Sequence, residues 1–137
     1  MKKLEMKAYK ISQIDFYNNL ANGTKLELSN KYSYNVKYSQ NGICEGILKV
    51  DISDKGGNPD FRISVTVQGI FSFDGEESRE KIHVESFREL FPYARVIVCN
   101  LTTTAGMPPI MIPPIDMESQ EIFRIDMPNL GKNNNQE

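Results

Sequence analysis

The sequence predicts an α+β fold with four antiparallel strands in a meander, followed by helical segments. Two observations carry this prediction. Several segments in the first half of the 137-residue chain alternate apolar and polar residues, which is the period of a β-strand. In the second half the apolar residues recur three and four positions apart, which is the period of one face of an α-helix.

The strand pattern is clearest over 26–38, where apolar and aromatic residues occupy even positions. Asn41-Gly42 follows, the dipeptide preferred in tight type I′ hairpin turns. Alternation over 48–52 and 61–67 predicts two more strands, with a turn cluster between them. A first strand begins near Leu4, and its alternation changes phase before Ile14, which indicates a bulge or a bend.

The helical region is predicted from an apolar face formed by Ile82, Val84, Phe87, Leu90 and Phe91. Pro92 suits the first position of a second helix. Over 94–104 the spacing favours a helix and the β-branched residues favour a strand, so the residues alone leave both open. Gly106 is expected to end this segment.

The last part of the chain predicts one more short element and a tail. Asp116 is placed to cap a short C-terminal helix that runs through Phe123 or a little beyond. We assign residues 1–130 to a single domain and expect the polar residues 131–137 to be disordered.

Composition and charge exclude several classes of function. The net charge of −2 provides no dense basic face for nucleic acid. The chain lacks a run of about 18 apolar residues, so we expect no membrane insertion. Two isolated cysteines and no secretory signal favour the cytoplasm. The single histidine, His83, has no recognisable nucleophile or metal-ligand set around it, so we expect no enzymatic activity, no metal and no cofactor.

The segment Met107–Ile115 is unusual because it combines Met, Ile and four prolines in a predicted loop. Such a loop either packs onto its own sheet or forms a wall of an apolar groove, and the residues alone favour neither. Methionine suits a groove because its flexible, polarizable side chain adapts to varied apolar shapes. Tyr32 and Tyr34 lie on one strand face, where packing is the default and contact with apolar peptide is the alternative.

Three motifs in this order resemble the SecB family of export chaperones. Gly69-Ile70-Phe71-Ser72, followed by Gly75, is similar to the family's end of the fourth strand. Leu90-Phe91-Pro92-Tyr93-Ala94-Arg95 is similar to its LFPYAR hexapeptide. The spacing from Gly106 to Ile115 is similar to its GTFPxLxLxPV loop. The resemblance covers about residues 60–123.

The resemblance implies that a long helix and a short C-terminal helix lie on one face of the sheet, in a homotetramer built as a dimer of dimers. Ala94, Ile97, Val98 and Leu101 would then face the sheet. It also implies the residues that touch other polypeptides. Clients would lie in a groove lined by Met107, Ile110, Met111, Ile112, Ile115, Tyr32 and Tyr34. Val96, Cys99 and Thr103 would face another subunit.

The functional expectation is an ATP-independent chaperone that binds non-native polypeptides and keeps preproteins competent for export. The resemblance makes the motor SecA a further candidate partner. The family presents acidic residues to SecA, whereas this chain has Asp15 on the first strand, and Arg62 and Ser64 on the fourth. The alternative is a SecB-like chaperone dedicated to one client, such as an antitoxin. A small-molecule binding or enzymatic domain is a third class, and no site chemistry supports it.

Overall fold

The computed structural model describes residues 4–113, and within them it contains four strands and one helix. The elements in chain order are β1 Leu4–Asn18, β2 Leu28–Tyr38, β3 Ile43–Asp54, β4 Phe61–Phe73 and α1 Arg79–Thr104. The predicted C-terminal helix after Asp116, Ile115 of the predicted groove, and the tail 131–137 lie outside the described residues. The α+β class and the four antiparallel strands are confirmed.

The order of the strands differs from a simple meander. Strands β2, β3 and β4 follow one another as predicted, but β1 pairs with β4 at the far edge, so the order is β1-β4-β3-β2. This is the order of a Greek key. The connection 19–27 crosses from one edge to the other, and the Asn19 N–H donates to the Asp60 carbonyl at 2.8 Å where it leaves β1. Local alternation does not reveal this because strand order depends on non-local pairing.

Strand β1 contains the predicted irregularity. Its register against β4 shifts twice, between Met6 and Ala8 and between Ile11 and Gln13. Each extra residue changes which side chains face the core. As a result Tyr9, Ile11 and Ile14 lie opposite core residues of β4 although their spacing in the sequence is irregular.

Helix α1 is continuous, so the prediction that Pro92 starts a second helix was wrong. Pro92 lies inside α1, on its exposed side, where water can reach the carbonyl that loses its amide partner. The buried face runs through Pro92 without interruption, with Leu90 before it and Ala94 and Val98 after it. Ser78 caps the helix by accepting the Lys81 N–H at 3.1 Å.

The helix approaches the sheet most closely over two glycines that are partners in the β3–β4 register, Gly46 and Gly69. A Cβ atom on Gly69 would lie 2.7 Å from Leu90 Cδ2, and one on Gly46 would lie 3.2 Å from Leu90 Cδ1. Beside them the hydroxyl of buried Tyr34 donates to Ser86 Oγ at 2.5 Å. The absence of two side chains therefore sets how closely α1 packs on the sheet.

The end of α1 fixes where the following loop starts. Gly106 has φ 83°, as predicted for a residue that stops a helix. Its N–H donates to Thr103 O at 3.1 Å, and the Met107 N–H donates to Thr102 O at 3.0 Å. These two bonds form a Schellman motif, which turns the chain sharply back along the helix.

Candidate functional site

An opening near the Met- and Pro-rich loop forms a groove of about 800 Å³ at one end of the sheet. We call it the loop groove. One wall is the connection between β1 and β2 with the first residues of β2, and the other is the chain after α1. It is lined by Asn18, Leu20, Ala21, Asn22, Gly23, Thr24, Leu26, Leu28, Asn30, Ala105, Gly106, Met107, Pro108, Pro109, Ile110, Met111 and Ile112.

Two side chains of α1 hold the post-helix wall in place. Arg95 Nε donates to the Ile112 carbonyl at 2.7 Å. Thr102 is fully buried, and its Oγ1 accepts the Ile110 N–H at 2.9 Å. Between these anchors Met111 is 75% exposed, so the loop presents one methionine to solvent while its backbone is fixed.

The opposite wall was not identified from the sequence. Leu20, Leu26 and Leu28 are partly buried hydrophobics on the connection and at the start of β2. A turn stabilises this segment, because the Thr24 Oγ1 and N–H both donate to the Ala21 carbonyl, at 2.6 and 3.1 Å. Leucines in a short polar connection are the signal that could have pointed to this wall.

The predicted groove residues divide into two groups. Met107, Ile110 and Met111 line the loop groove, and Ile112 also touches it but is 1% exposed because its side chain belongs to the core. The structure places Tyr34 in the core rather than at the groove, since Ser86 holds its hydroxyl and its ring packs edge-on against Phe87.

Tyr32 lies beside the loop groove without lining it. Its ring packs edge-on against Phe91, with ring centroids 6.0 Å apart. Burial raises the pKa of its phenol, and a hydrogen bond with the side chain of Asn30 opposes that rise. Asn30 itself lines the groove, so this hydrogen bond links Tyr32 to the groove wall.

A second opening, of about 790 Å³, lies where the far end of β2 meets the first turns of α1. Charged residues line it, including Arg79, whose guanidinium stacks 4.2 Å over the Tyr38 ring. His83 also lines it. This histidine is half-buried, packs edge-on against Tyr34, and burial lowers its pKa.

The residues predicted to face another subunit lie on the outer side of α1. Val96 is 57% exposed, Cys99 is partly buried, and Thr103 is exposed with its Oγ1 donating to the Cys99 carbonyl at 2.8 Å. Nearby, Tyr9 on edge strand β1 is 48% exposed and stacks on Tyr93 of α1, with ring centroids 4.1 Å apart. An apolar surface therefore extends from α1 onto the edge of the sheet.

The sheet face opposite α1 carries charges of both signs. Arg62 Nε lies 3.1 Å from Asp15 Oδ2, and its guanidinium is 5.3 Å from the centre of the Tyr17 ring. Ser64 lies between Asp15 and Asp51 in the sheet register. Asp15 on the first strand is therefore paired with a cation of this chain.

Residues 90–95 contact all four strands and one wall of the loop groove. Leu90 packs over the glycine pair, Phe91 contacts Tyr32, Tyr93 stacks on Tyr9, and Arg95 holds the groove wall. Each of these four side chains of the hexapeptide therefore makes a specific contact in the fold.

Within residues 4–113, these features define a class of protein with a Greek-key antiparallel sheet, one helix packed on it and a groove beside the end of that helix. Among the described residues, no helix is long and apolar enough to span a membrane. A solved structure of a Mycobacterium tuberculosis SecB-like chaperone, in complex with a peptide from the HigA1 antitoxin, has this fold. Its TM-score is 0.64 at 15% identity, over 81% of this chain and 86% of that one.

The sequence comparisons agree with the fold. The family profile described as preprotein translocase subunit SecB matches residues 18–127, and the chain belongs to the SecB family. The protein-export protein SecB of Caulobacter vibrioides is 34% identical over 59% of this chain and 55% of its own length. That of a Wolbachia strain from Drosophila simulans is 33% identical over 72% and 65%. The chain thus spans about half to two thirds of these curated relatives.

Proposed function

We propose that this protein is an ATP-independent chaperone of the cytoplasm that binds non-native polypeptides in the loop groove and keeps preproteins competent for export. The observation that carries the proposal is the geometry of the groove wall. Arg95 and Thr102 fix the backbone on both sides of Met111, and the methionine side chain stays exposed. A fixed backbone with a flexible apolar side chain suits clients of varied sequence.

Weak contacts of this kind are sufficient if several act on one client. Burial of apolar surface contributes about 25 cal/mol per Å². One groove alone would bind weakly, but grooves on several subunits would engage the same long client at a high effective concentration. We therefore propose a homotetramer, a dimer of dimers, in which Val96, Cys99 and Thr103 contact another subunit.

Two versions of this function differ in the partner. In the export version the client is transferred to SecA, which the family binds through acidic residues on the open sheet face. In this chain Arg62 neutralises Asp15 on that face, and Ser64 supplies no charge. The alternative is the second version, a chaperone dedicated to one client such as an antitoxin, the kind of peptide bound to the similar mycobacterial chaperone. A toxin gene next to this one would favour the dedicated version.

Suppression of aggregation tests the proposal. A chemically denatured client is diluted into buffer with the protein and without ATP, and light scattering is followed. We expect wild type to suppress aggregation. Ile110→Ser combined with Met111→Ser should need about tenfold more protein for the same effect, because two groove contacts are lost.

The matched control is Ile70→Ser, which removes a 36% exposed isoleucine from the open sheet face. It should suppress aggregation as wild type does. Equal activity of the groove variant and wild type would show that clients bind elsewhere.

A further inference from the structure

Both ends of the connection between β1 and β2 are held by one short segment, the β3–β4 turn at residues 55–60. At the start of the connection the Asn19 N–H donates to the Asp60 carbonyl at 2.8 Å. At its end the Lys55 N–H donates to the Glu27 carbonyl at 2.7 Å. The turn therefore fixes where the connection leaves β1 and where it joins β2.

Asp54, the last residue of β3, adds a bond at the same place, and this bond uses a side chain. Its Oδ1 accepts the Glu27 N–H at 3.0 Å, and its Oδ2 accepts the Asn58 N–H at 3.2 Å. The N–H groups of Glu27 and Asn58 hold the pKa of the Asp54 carboxyl below its usual value, so both bonds are charge-assisted at neutral pH. One carboxylate thus joins the end of the connection to the β3–β4 turn.

The side chains nearest to this bond belong to the loop groove. Leu26 and Leu28 flank Glu27 in the chain, and both are partly buried and line the groove. The described lining residues include neither Asp54 nor any residue of the β3–β4 turn. A change at Asp54 therefore reaches the groove only through the backbone of the connection.

The opposite wall of the groove is held by a different element. Arg95 and Thr102 of α1 bond the backbone of the chain after the helix. The separation of the two walls is therefore set by two independent groups of hydrogen bonds. Asp54 belongs to the group that holds the connection, and it does so from outside the groove.

We propose that Asp54 is a positioning residue for the loop groove: its carboxylate holds the connection wall in place and sets the width of the groove without touching a client. This inference rests on the proposed function and adds a residue that acts on the groove through another segment. Without the carboxylate the Glu27 N–H loses its acceptor, and the wall leaves its binding position for part of the time. Binding then weakens in proportion to the fraction of molecules whose wall is in place.

The first measurement is the Kd of a fluorescent apolar peptide, followed by anisotropy. A peptide of about ten residues is long enough to cross the groove when extended. Asp54→Ala removes both acceptors and should raise Kd about fivefold or more. Asp54→Asn keeps one acceptor oxygen and should give an intermediate Kd. This milder variant decides the question if Asp54→Ala does not fold.

Amide hydrogen exchange shows whether the effect passes through the connection. In Asp54→Ala the Glu27 N–H should exchange about tenfold faster than in wild type, with a much smaller change at Leu90 in the buried face of α1. Equal acceleration at Glu27 and Leu90 would indicate a general loss of stability and would overturn the inference.

The matched control is Asp51→Ala, which removes the same carboxylate from the same strand. Asp51 lies opposite Ser64 on the open sheet face, away from the connection. This variant should bind the peptide as wild type does. Wild-type affinity in both Asp54 variants would overturn the inference alone. If wild type did not bind the peptide, the proposed function would fail together with it.

Discussion

At the scale of single residues, Gly46 and Gly69 matter because they have no side chain. The Leu90 side chain fills the space above them, and the Tyr34 hydroxyl reaches Ser86 across Gly46. The motif residues Gly69 and Leu90, which are distant in sequence, therefore meet at one contact. Their appearance together in the sequence reflects packing rather than contact with a client.

We predict that Gly46→Ala lowers the free energy of unfolding by about 1–3 kcal/mol, because the new methyl group overlaps the Tyr34 hydroxyl and crowds Leu90. Urea unfolding measures this change. The matched control is Gly75→Ala, where nothing lies within 4 Å of a Cβ atom, and it should change stability by less than about 0.5 kcal/mol.

A double-mutant cycle separates this overlap from a general effect of alanine. Tyr34→Phe removes the hydroxyl and should destabilise the wild type by about 1 kcal/mol through loss of the Ser86 hydrogen bond. In the Gly46→Ala background it should cost less, since it also relieves the overlap. Additive costs would refute this account of the helix–sheet contact.

At the scale of elements, α1 performs two tasks. Its inner face closes the core, and its last turns position the loop groove through Arg95 and Thr102. The Schellman motif at Gly106 returns the chain toward these two side chains. The groove wall is therefore built as an extension of the helix.

The sequence predicted elements better than their arrangement. Period-2 alternation identified β2, β3 and β4 because one face of each is buried. The pairing of β1 with β4 is non-local, and no local pattern encodes it. Pro92 was misread because an exposed proline can remain inside a helix whose buried face is continuous.

For the candidate site too, local features were predicted from the sequence and contacts between distant segments were not. Met107, Ile110 and Met111 could be proposed from the sequence because apolar residues in a proline-rich loop are conspicuous, and their contact with clients stays a prediction. The location of Tyr34 was predicted wrongly. Alternation shows on which face of a strand a residue lies, but it does not show which element covers that face. The groove wall that contains Leu20 was not predicted, because the wall that faces it across the groove is distant in sequence.

Arg95→Met tests whether α1 positions the groove. The variant keeps much of the apolar stem but removes the donor to the Ile112 carbonyl, a charge-assisted bond of about 1.5–3 kcal/mol. Peptide affinity should fall about fivefold or more, measured by fluorescence anisotropy. Arg88→Met, at an exposed ion pair on the same helix, should bind peptide like wild type. Unchanged affinity of Arg95→Met would show that the loop is held without it.

At the scale of the whole molecule, the exposed apolar residues mark where another copy is expected. Val96, Tyr9 and Ile14 are each between 48% and 57% exposed, on α1 and on edge strand β1. Among the described strands β1 is an edge strand, and an edge strand invites pairing.

Light scattering tests the assembly. Wild type should have the mass of a tetramer, or at least of a dimer. Val96→Asp places a charge in the proposed contact and should shift the protein toward smaller species. Lys37→Asp, on an exposed position of β2, is the control and should assemble normally. A monomeric wild type would contradict the proposed assembly.

The central claim is that clients occupy the loop groove, and site-specific photo-crosslinking tests it most directly. A benzophenone amino acid replaces Met111 on one wall, Leu20 on the other, or Ile70 on the open sheet face as the control. With a denatured client, crosslinks should form at positions 111 and 20 and be weak at position 70. Strong crosslinks at position 70 with none at positions 111 and 20 would contradict the account.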